Sequence, residues 1–208
     1  MPKIRILFMG TPEFAVPSLE ALVAGGYPIA AVVTQPDRPQ GRGRANTPSP
    51  VKRYAVSQGL PVLQPERVRE EEFLAVFRDI TPDLVVVAAF GQILPRAILE
   101  VPPLRCINVH PSLLPKYRGA APINWAVIRG ETVTGVTIME MAEGVDTGNI
   151  ILQEAIPIAP AEPFGRLHDR LAELGAALLL RSITLLEEGT ARSVPQDDAL
   201  ATYAPRLK

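Results

Sequence analysis

Cysteine is nearly absent from this 208-residue sequence. The single thiol, Cys106, excludes a disulfide within the chain and suits a reducing compartment, so a cytoplasmic protein is expected. Histidine is almost as scarce. His110 and His168 lie far apart with no ligand-like spacing, so no metal is expected. No run approaches the roughly eighteen apolar residues of a membrane helix, and MPKIRILFMG is too short and too interrupted for a signal peptide. No membrane partner is therefore expected. Neither sign of charge dominates, and a net charge of −1 means that any nucleic-acid surface must be local. The dinucleotide fingerprint is missing too. Gly10-Thr11-Pro12 lacks the second and third glycines, and Pro12 removes a backbone donor, which disfavours nicotinamide.

Apolar residues are plentiful, at 47%, enough for a large core in one medium domain of this length. Lys3 to Met9 reads as a buried strand and Phe14 to Ala24 as a helix with Val16, Leu19, Leu22 and Val23 inward, closed by Gly25-Gly26. Ile29 to Thr34 is a second strand. This strand–helix–strand order implies a right-handed parallel unit. Gln35 to Pro50 has no periodicity and reads as a long loop. A helix from Ser49-Pro50 to Gln58, a short strand Pro61 to Leu63, and an amphipathic helix Glu70 to Asp79 on Phe73, Leu74 and Phe77 follow. Leu84 to Ala88 is continuously apolar, as in a strand buried on both faces. Beyond it come a strand ending at His110, a helix Ala121 to Arg129, a strand pair Val133 to Met141 and Asn149 to Pro157, and a long helix Phe164 to Glu188. That helix places Phe164, Leu167, Leu171, Leu174 and Leu178 on one side. Ser193 to Pro195 is a candidate edge strand, and Tyr203 to Lys208 is expected to trail away. Alternation of strands and helices gives the α/β class.

The chemistry is expected at the end of the strand before Pro111. Side chains alternate along a strand, so Asn108 and His110 share a face, about 6.6 Å apart. Pro111 cannot continue a central ladder, so the chain leaves the sheet at His110, where α/β folds bind ligands. An amide donor and an imidazole there can both reach one reacting carbonyl. Gly144 and Gly148 bracket Asp146 in a turn that can aim a carboxylate at the same place. Each residue also has a plainer reading: His110 as a satisfied core histidine, Asn108 as a turn cap, Asp146 as an ordinary turn aspartate. Cys106 shares the face of His110, but four strand residues separate them by roughly 13 Å, too far for a nucleophile–base pair. Ser112 lacks the Gly-x-Ser-x-Gly elbow of a hydrolase nucleophile.

Asn108-Val109-His110-Pro111-Ser112-Leu113-Leu114-Pro115, then Arg118-Gly119, followed by Gly144-Val145-Asp146-Thr147-Gly148, resembles the folate-dependent formyltransferases. Met9-Gly10-Thr11-Pro12-Glu13-Phe14 and Gln35-Pro36-Asp37-Arg38-Pro39 are most similar to the branch that formylates methionine charged on initiator tRNA. The likeness covers essentially all 208 residues. It implies a doubly wound, mostly parallel, Rossmann-like α/β fold. It also implies that residues 1–208 are the amino-terminal catalytic domain, without the smaller carboxy-terminal β-barrel domain usual in the family. The implied reaction moves a formyl group from 10-formyltetrahydrofolate to the α-amino group of methionyl initiator tRNA. Asn108 and His110 would stabilise the oxyanion, and Asp146 would transfer protons directly or through a water.

Ser112, Leu113, Leu114, Pro115, Gly144 and Val145 would contact folate. Phe90, Gly91, Gln92, Ile93 and Leu94 would line the pterin slot, although Ile93 and Leu94 also read as plain core. Gly10, Thr11 and Pro12 would wall the acceptor pocket. Arg42 would enter the acceptor stem, with Arg38 and Arg44 nearer phosphates, in a loop that orders on RNA. Folate carries the carbon, so neither metal nor nicotinamide is implied. A monomer is expected. Rival readings are a formyltransferase acting on glycinamide ribonucleotide or an amino sugar nucleotide, and a non-catalytic folate- or nucleotide-binding module. Pro12 and the basic 38–44 loop favour tRNA.

Overall fold

The structure is a computed structural model and describes residues 4–40 and 45–207. The chain forms two compact units, 1–106 and 107–208.

The first unit is built by short apolar runs separated by breakers. β1 (Ile6–Gly10) is buried at all five positions. A 3-10 turn, Glu13–Ala15, leads into α1 (Val16–Ala24), which has proline in its first turn and ends at Gly25-Gly26, Gly26 taking φ 70°. β2 (Ile29–Val33) follows, then β3 (Arg38–Gln40), β4 (Ala45–Thr47), α2 (Pro50–Ser57), β5 (Val62–Leu63), α3 (Glu71–Ile80), β6 (Leu84–Ala88) and α4 (Arg96–Leu99). β1 pairs with β2 and with β6, and β2 with β5, all in parallel, giving the order β5-β2-β1-β6. β6, like β1, is buried throughout, as its continuous apolar run requires. Ser49 caps α2 by accepting from the Lys52 N–H at 3.1 Å. α3 buries Phe73, Leu74 and Phe77 and ends in left-handed Thr81.

One sequence expectation changes here. The stretch read as a structureless loop carries an antiparallel pair, β3 with β4, in which Arg38 faces Thr47. Strands of three residues, one containing Pro39, are too short to show alternation. Lys52 and Gln64 hold the residue before it: Nζ lies 2.6 Å from Asp37 Oδ2, and the Gln64 amide donates to Asp37 Oδ1 at 2.8 Å. The Lys52 hydrogen bond, then that from Gln64, lowers the Asp37 pKa below its ordinary value. Lys3, Arg42 and Arg44 lie outside the described residues. α4 is a single turn, too short for a helical period to reveal.

The second unit takes in β7 (Cys106–His110), α5 (Pro122–Ile128), β8 (Val133–Glu140), β9 (Ile150–Pro157) and α6 (Phe164–Glu187). Here the strands run antiparallel, β7 with β8 and β8 with β9. α6 buries Leu167, Leu171 and Leu178, and its Gly175 brings the helix against β7 and β8, where an added Cβ would stand 2.7 Å from Val109 Cγ1. Phe164, expected inward, is exposed and lies 5.9 Å from the His168 ring. It sits in the first turn, where burial depends on what the helix end faces rather than on its period.

Val194 bridges Ile150, consistent with the expected edge strand. The segment expected to trail away does not. Tyr203 bridges Arg118, Ala204 is fully buried, its N–H donates to the Arg118 carbonyl at 2.7 Å, and the Trp125 indole donates to the Pro205 carbonyl at 2.7 Å. Its partners are some eighty residues away in sequence, so no local pattern announces it.

Backbones approach closely at Gly135 in β8, where a built Cβ would stand 2.1 Å from the Glu154 carbonyl oxygen of β9. Gly135→Ala is expected to destabilise the protein by about 3 kcal/mol or more, since backbone cannot yield as a side-chain tip can. Denaturant titration of the variant checks this.

Candidate active site

β7 delivers His110 to the site 4% exposed and Asn108 half-buried on the same face. Pro111 then turns the chain out of the ladder, and the following loop is held by its own polar groups. Thr137 of β8 donates its hydroxyl to the Ser112 carbonyl at 2.6 Å and accepts the Leu114 N–H at 3.1 Å. Gln153 of β9 donates to the Leu114 carbonyl at 2.9 Å. The Ser112 hydroxyl is buried and donates to the Lys116 carbonyl at 2.6 Å, which commits its proton inside the loop. Leu114 is buried, Leu113 and Pro115 are half-buried, and the Leu114–Pro115 peptide is cis.

This loop ends at Tyr117, a left-handed residue with φ 63°. Its carbonyl lies 3.0 Å from His110 Nε2. A carbonyl can only accept, so Nε2 carries a proton, and the neutral ring has its lone pair on Nδ1. Nδ1 faces Asp146 Oδ2 at 3.6 Å. The Gly119 N–H donates to the same oxygen at 2.8 Å. His110 can therefore donate toward a ligand from Nδ1 only as imidazolium. The neutral ring's one N–H is committed to Tyr117, which narrows the options the sequence left open. The Tyr117 hydroxyl donates to Glu131; burial first, and that carboxylate second, push its pKa up. Asp146 is itself left-handed, with φ 52°, and its side chain is 15% exposed. Gly144 and Val145 beside it are exposed. The Asn108 amide has no hydrogen-bond partner among the described residues.

Asn108, His110 and Asp146 thus come together as an amide donor, an imidazole and a carboxylate. The left-handed conformation of Tyr117 and Asp146, the Gly119 N–H and the tail that pairs with Arg118 were not legible as parts of the site. The only trace in the sequence is Gly119, whose φ of 119° suits glycine alone.

The remaining candidates lie in the first unit. The Thr11 hydroxyl donates to the Phe90 carbonyl at 3.2 Å, as does the Gln35 amide at 3.2 Å, tying the turns after β1 and β6 together. Phe90 and Leu94 are buried, whereas Ile93 is 75% exposed. Gln92 donates to the Glu66 carbonyl and accepts from the Val68 N–H. Arg38 is exposed in β3, as is Pro12. Gly10 closes β1, with Ala88 and Ala15 too near to admit a side chain.

Cys106 is buried, donates to the Ile98 carbonyl at 3.6 Å, and has its pKa pushed up to about 12 by desolvation. It is core packing, not a nucleophile. No three His, Cys, Asp or Glu side chains among the described residues are grouped as around a metal ion. No helix among them is long and apolar enough to cross a membrane.

An α/β fold with these three groups at a strand end defines a class of protein, and the fold has solved counterparts. Glycinamide ribonucleotide transformylase 1 from Symbiobacterium toebii matches 94% of this chain and 95% of its own at a TM-score of 0.75 and 24% identity. An N-formyltransferase from Helicobacter canadensis, solved with folinic acid and dTDP-3-aminofucose, matches 98% of this chain and 71% of its own at a TM-score of 0.71 and 23% identity. The fold is therefore the Rossmann-like α/β fold expected from the sequence. The formyl transferase family profile matches residues 2–183, and the chain belongs to that family. Methionyl-tRNA formyltransferase from Syntrophus aciditrophicus is 65% identical over all of this chain and 67% of its own length. The enzyme of the same name from Moorella thermoacetica is 57% identical over 99% of this chain and 66% of its own. The chain spans about two thirds of the length of these relatives.

The burial of Cys106 has a direct test. In the folded protein at pH 8 the thiol should react with iodoacetamide at least about a hundredfold more slowly than in denaturant, because almost no thiolate is present. Rapid labelling of native protein would contradict its place in the core.

Proposed function

We propose that this chain is the catalytic part of a cytoplasmic methionyl-tRNA formyltransferase that transfers a formyl group from 10-formyltetrahydrofolate to the α-amino group of methionyl initiator tRNA. The observation that carries the proposal is the triad of uncommitted Asn108 amide, His110 with Nδ1 toward Asp146 at 3.6 Å, and Asp146 held by Gly119. Identity of 65% to a relative of that name supports the choice of acceptor.

The chemistry follows from the groups. The amine attacks the formyl carbon, and oxygen becomes an oxyanion. Asn108 donates to it from its amide, and His110, protonated, from Nδ1. Asp146 lies beside Nδ1, where it stabilises the imidazolium and relays protons from the attacking nitrogen to the departing one, directly or through water. No covalent link to the protein is needed. Folate brings the carbon and is held at Ser112, Leu113, Leu114, Pro115, Gly144 and Val145. Its pterin lies against Phe90, Gly91, Gln92, Ile93 and Leu94. Gly10, Thr11 and Pro12 border the acceptor, Arg42 enters the acceptor stem, and Arg38 and Arg44 meet phosphates. The enzyme acts as a monomer, without metal or nicotinamide.

Formyl transfer from 10-formyltetrahydrofolate should be assayed on charged initiator tRNA beside glycinamide ribonucleotide and an amino sugar nucleotide. Preference for either small acceptor would overturn the reading. Asp146→Asn, whose amide oxygen still accepts from Gly119, and His110→Ala should each lower kcat by about 10²- to 10⁴-fold. Folate affinity should change little. Near-parental turnover in either variant, with an unchanged circular dichroism spectrum, would remove that residue from the mechanism.

The arginines make a separate prediction. Arg38→Ala and Arg44→Ala should each flatten the slope of log affinity for tRNA against log salt by somewhat less than about one unit, as loss of one phosphate contact does. Arg42→Ala should weaken tRNA use while sparing folate. An unchanged slope and unchanged tRNA kinetics would leave 35–53 as a plain connection.

A further inference from the structure

Arg118 is buried, yet the carboxylate it meets, Asp198, is largely exposed. A buried guanidinium needs more than one partner. The second is Gln196, whose Oε1 accepts from Arg118 Nε at 3.1 Å and Nη2 at 2.8 Å. Because guanidinium nitrogens only donate, the orientation of the Gln196 amide is fixed, and Nε2 must face the other way. It donates to the main-chain carbonyls of Asp146 at 2.8 Å and Gly148 at 2.7 Å.

These bonds close a ring around Asp146. Its carboxylate is held by the N–H of Gly119, the residue next to Arg118, and Arg118 holds Gln196, which holds the Asp146 main chain. Asp146 sits at φ 52°, a conformation a non-glycine residue keeps only when its surroundings impose it. The Gln196 amide is the group that grips the turn from the main-chain side. It comes from the segment after α6, fifty residues further along the chain.

We infer that Gln196 is a positioning residue, which holds the left-handed turn at Asp146 so that the carboxylate stays against Nδ1 of His110. The inference rests on the catalytic role proposed for Asp146. Gln196→Glu keeps an acceptor for Arg118 but replaces the donor amide with an oxygen facing two carbonyls. With 10-formyltetrahydrofolate and charged initiator tRNA, kcat should fall about tenfold to a hundredfold, the size expected for displacing a reacting group by about 1 Å, and KM for folate should stay within about twofold.

A double-mutant cycle separates positioning from general damage. In the Asp146→Asn background, Gln196→Glu should cost less than about threefold, because the group it positions is already gone. If its cost were the same with and without the Asp146 carboxylate, the positioning role would be overturned while the catalytic reading stood. If Asp146→Asn alone turned over at the parental rate, both would fall. Gln196→Ala, which adds no charge, gives a second cycle with the same outcomes should the glutamate disturb folding.

Discussion

The hydrogen bond from the Gly119 N–H to Asp146 Oδ2 is the constraint on which the site depends. It joins a loop leaving one strand to a turn joining two others. Without it the carboxylate would be free to rotate away from His110. Everything around it serves to keep both ends in place. Gly119 can adopt its φ of 119° only because it has no side chain, and a Cβ there would stand 2.8 Å from the Ala204 carbonyl oxygen. Tyr117 turns its carbonyl to His110 Nε2, which settles which imidazole nitrogen is left for chemistry. The proton on Nε2 is thereby committed to the loop, and Nδ1 is the nitrogen that faces Asp146.

The same arrangement shows how strand side chains hold a polar loop in place. Thr137 and Gln153, on adjacent antiparallel strands, supply hydroxyl and amide groups that satisfy the carbonyls of Ser112 and Leu114. The loop after β7 would otherwise bury unpaired backbone groups, at a cost of about 1–3 kcal/mol each. Because these partners sit on strands, they are placed more rigidly than loop residues could be. Gly144 and Val145 are exposed, while Ser112 and Leu114 are buried.

Residue pattern and tertiary structure specify different parts of the site. Continuous apolar runs at Ile6–Gly10 and Leu84–Ala88 announced buried parallel strands, because nothing but burial on both faces explains them. Period-two alternation followed by proline placed Asn108 and His110 on one face at a strand end. Two glycines around Asp146 marked a turn. These are local properties, written within ten residues; the α/β class came from the alternation of such elements along the chain, and the roles of the three polar groups from the resemblance of their motifs.

What the tertiary structure decided is non-local or depends on main-chain conformation. No periodicity tells that Thr202 to Ala204 will pair with Arg118 to Ala121, that Pro205 will meet Trp125, or that Gln196 will reach Asp146, since each contact joins segments fifty or more residues apart. The hairpin of β3 and β4 is too short for a pattern, and the exposure of Phe164 depends on what the end of α6 faces. The tautomer of His110 is set by a carbonyl that only the left-handed Tyr117 turns inward. Residue order alone says which groups are present and on which face of a strand they stand. Their distances and proton positions came only from folding, because each is fixed by a partner the chain must return from far away to supply.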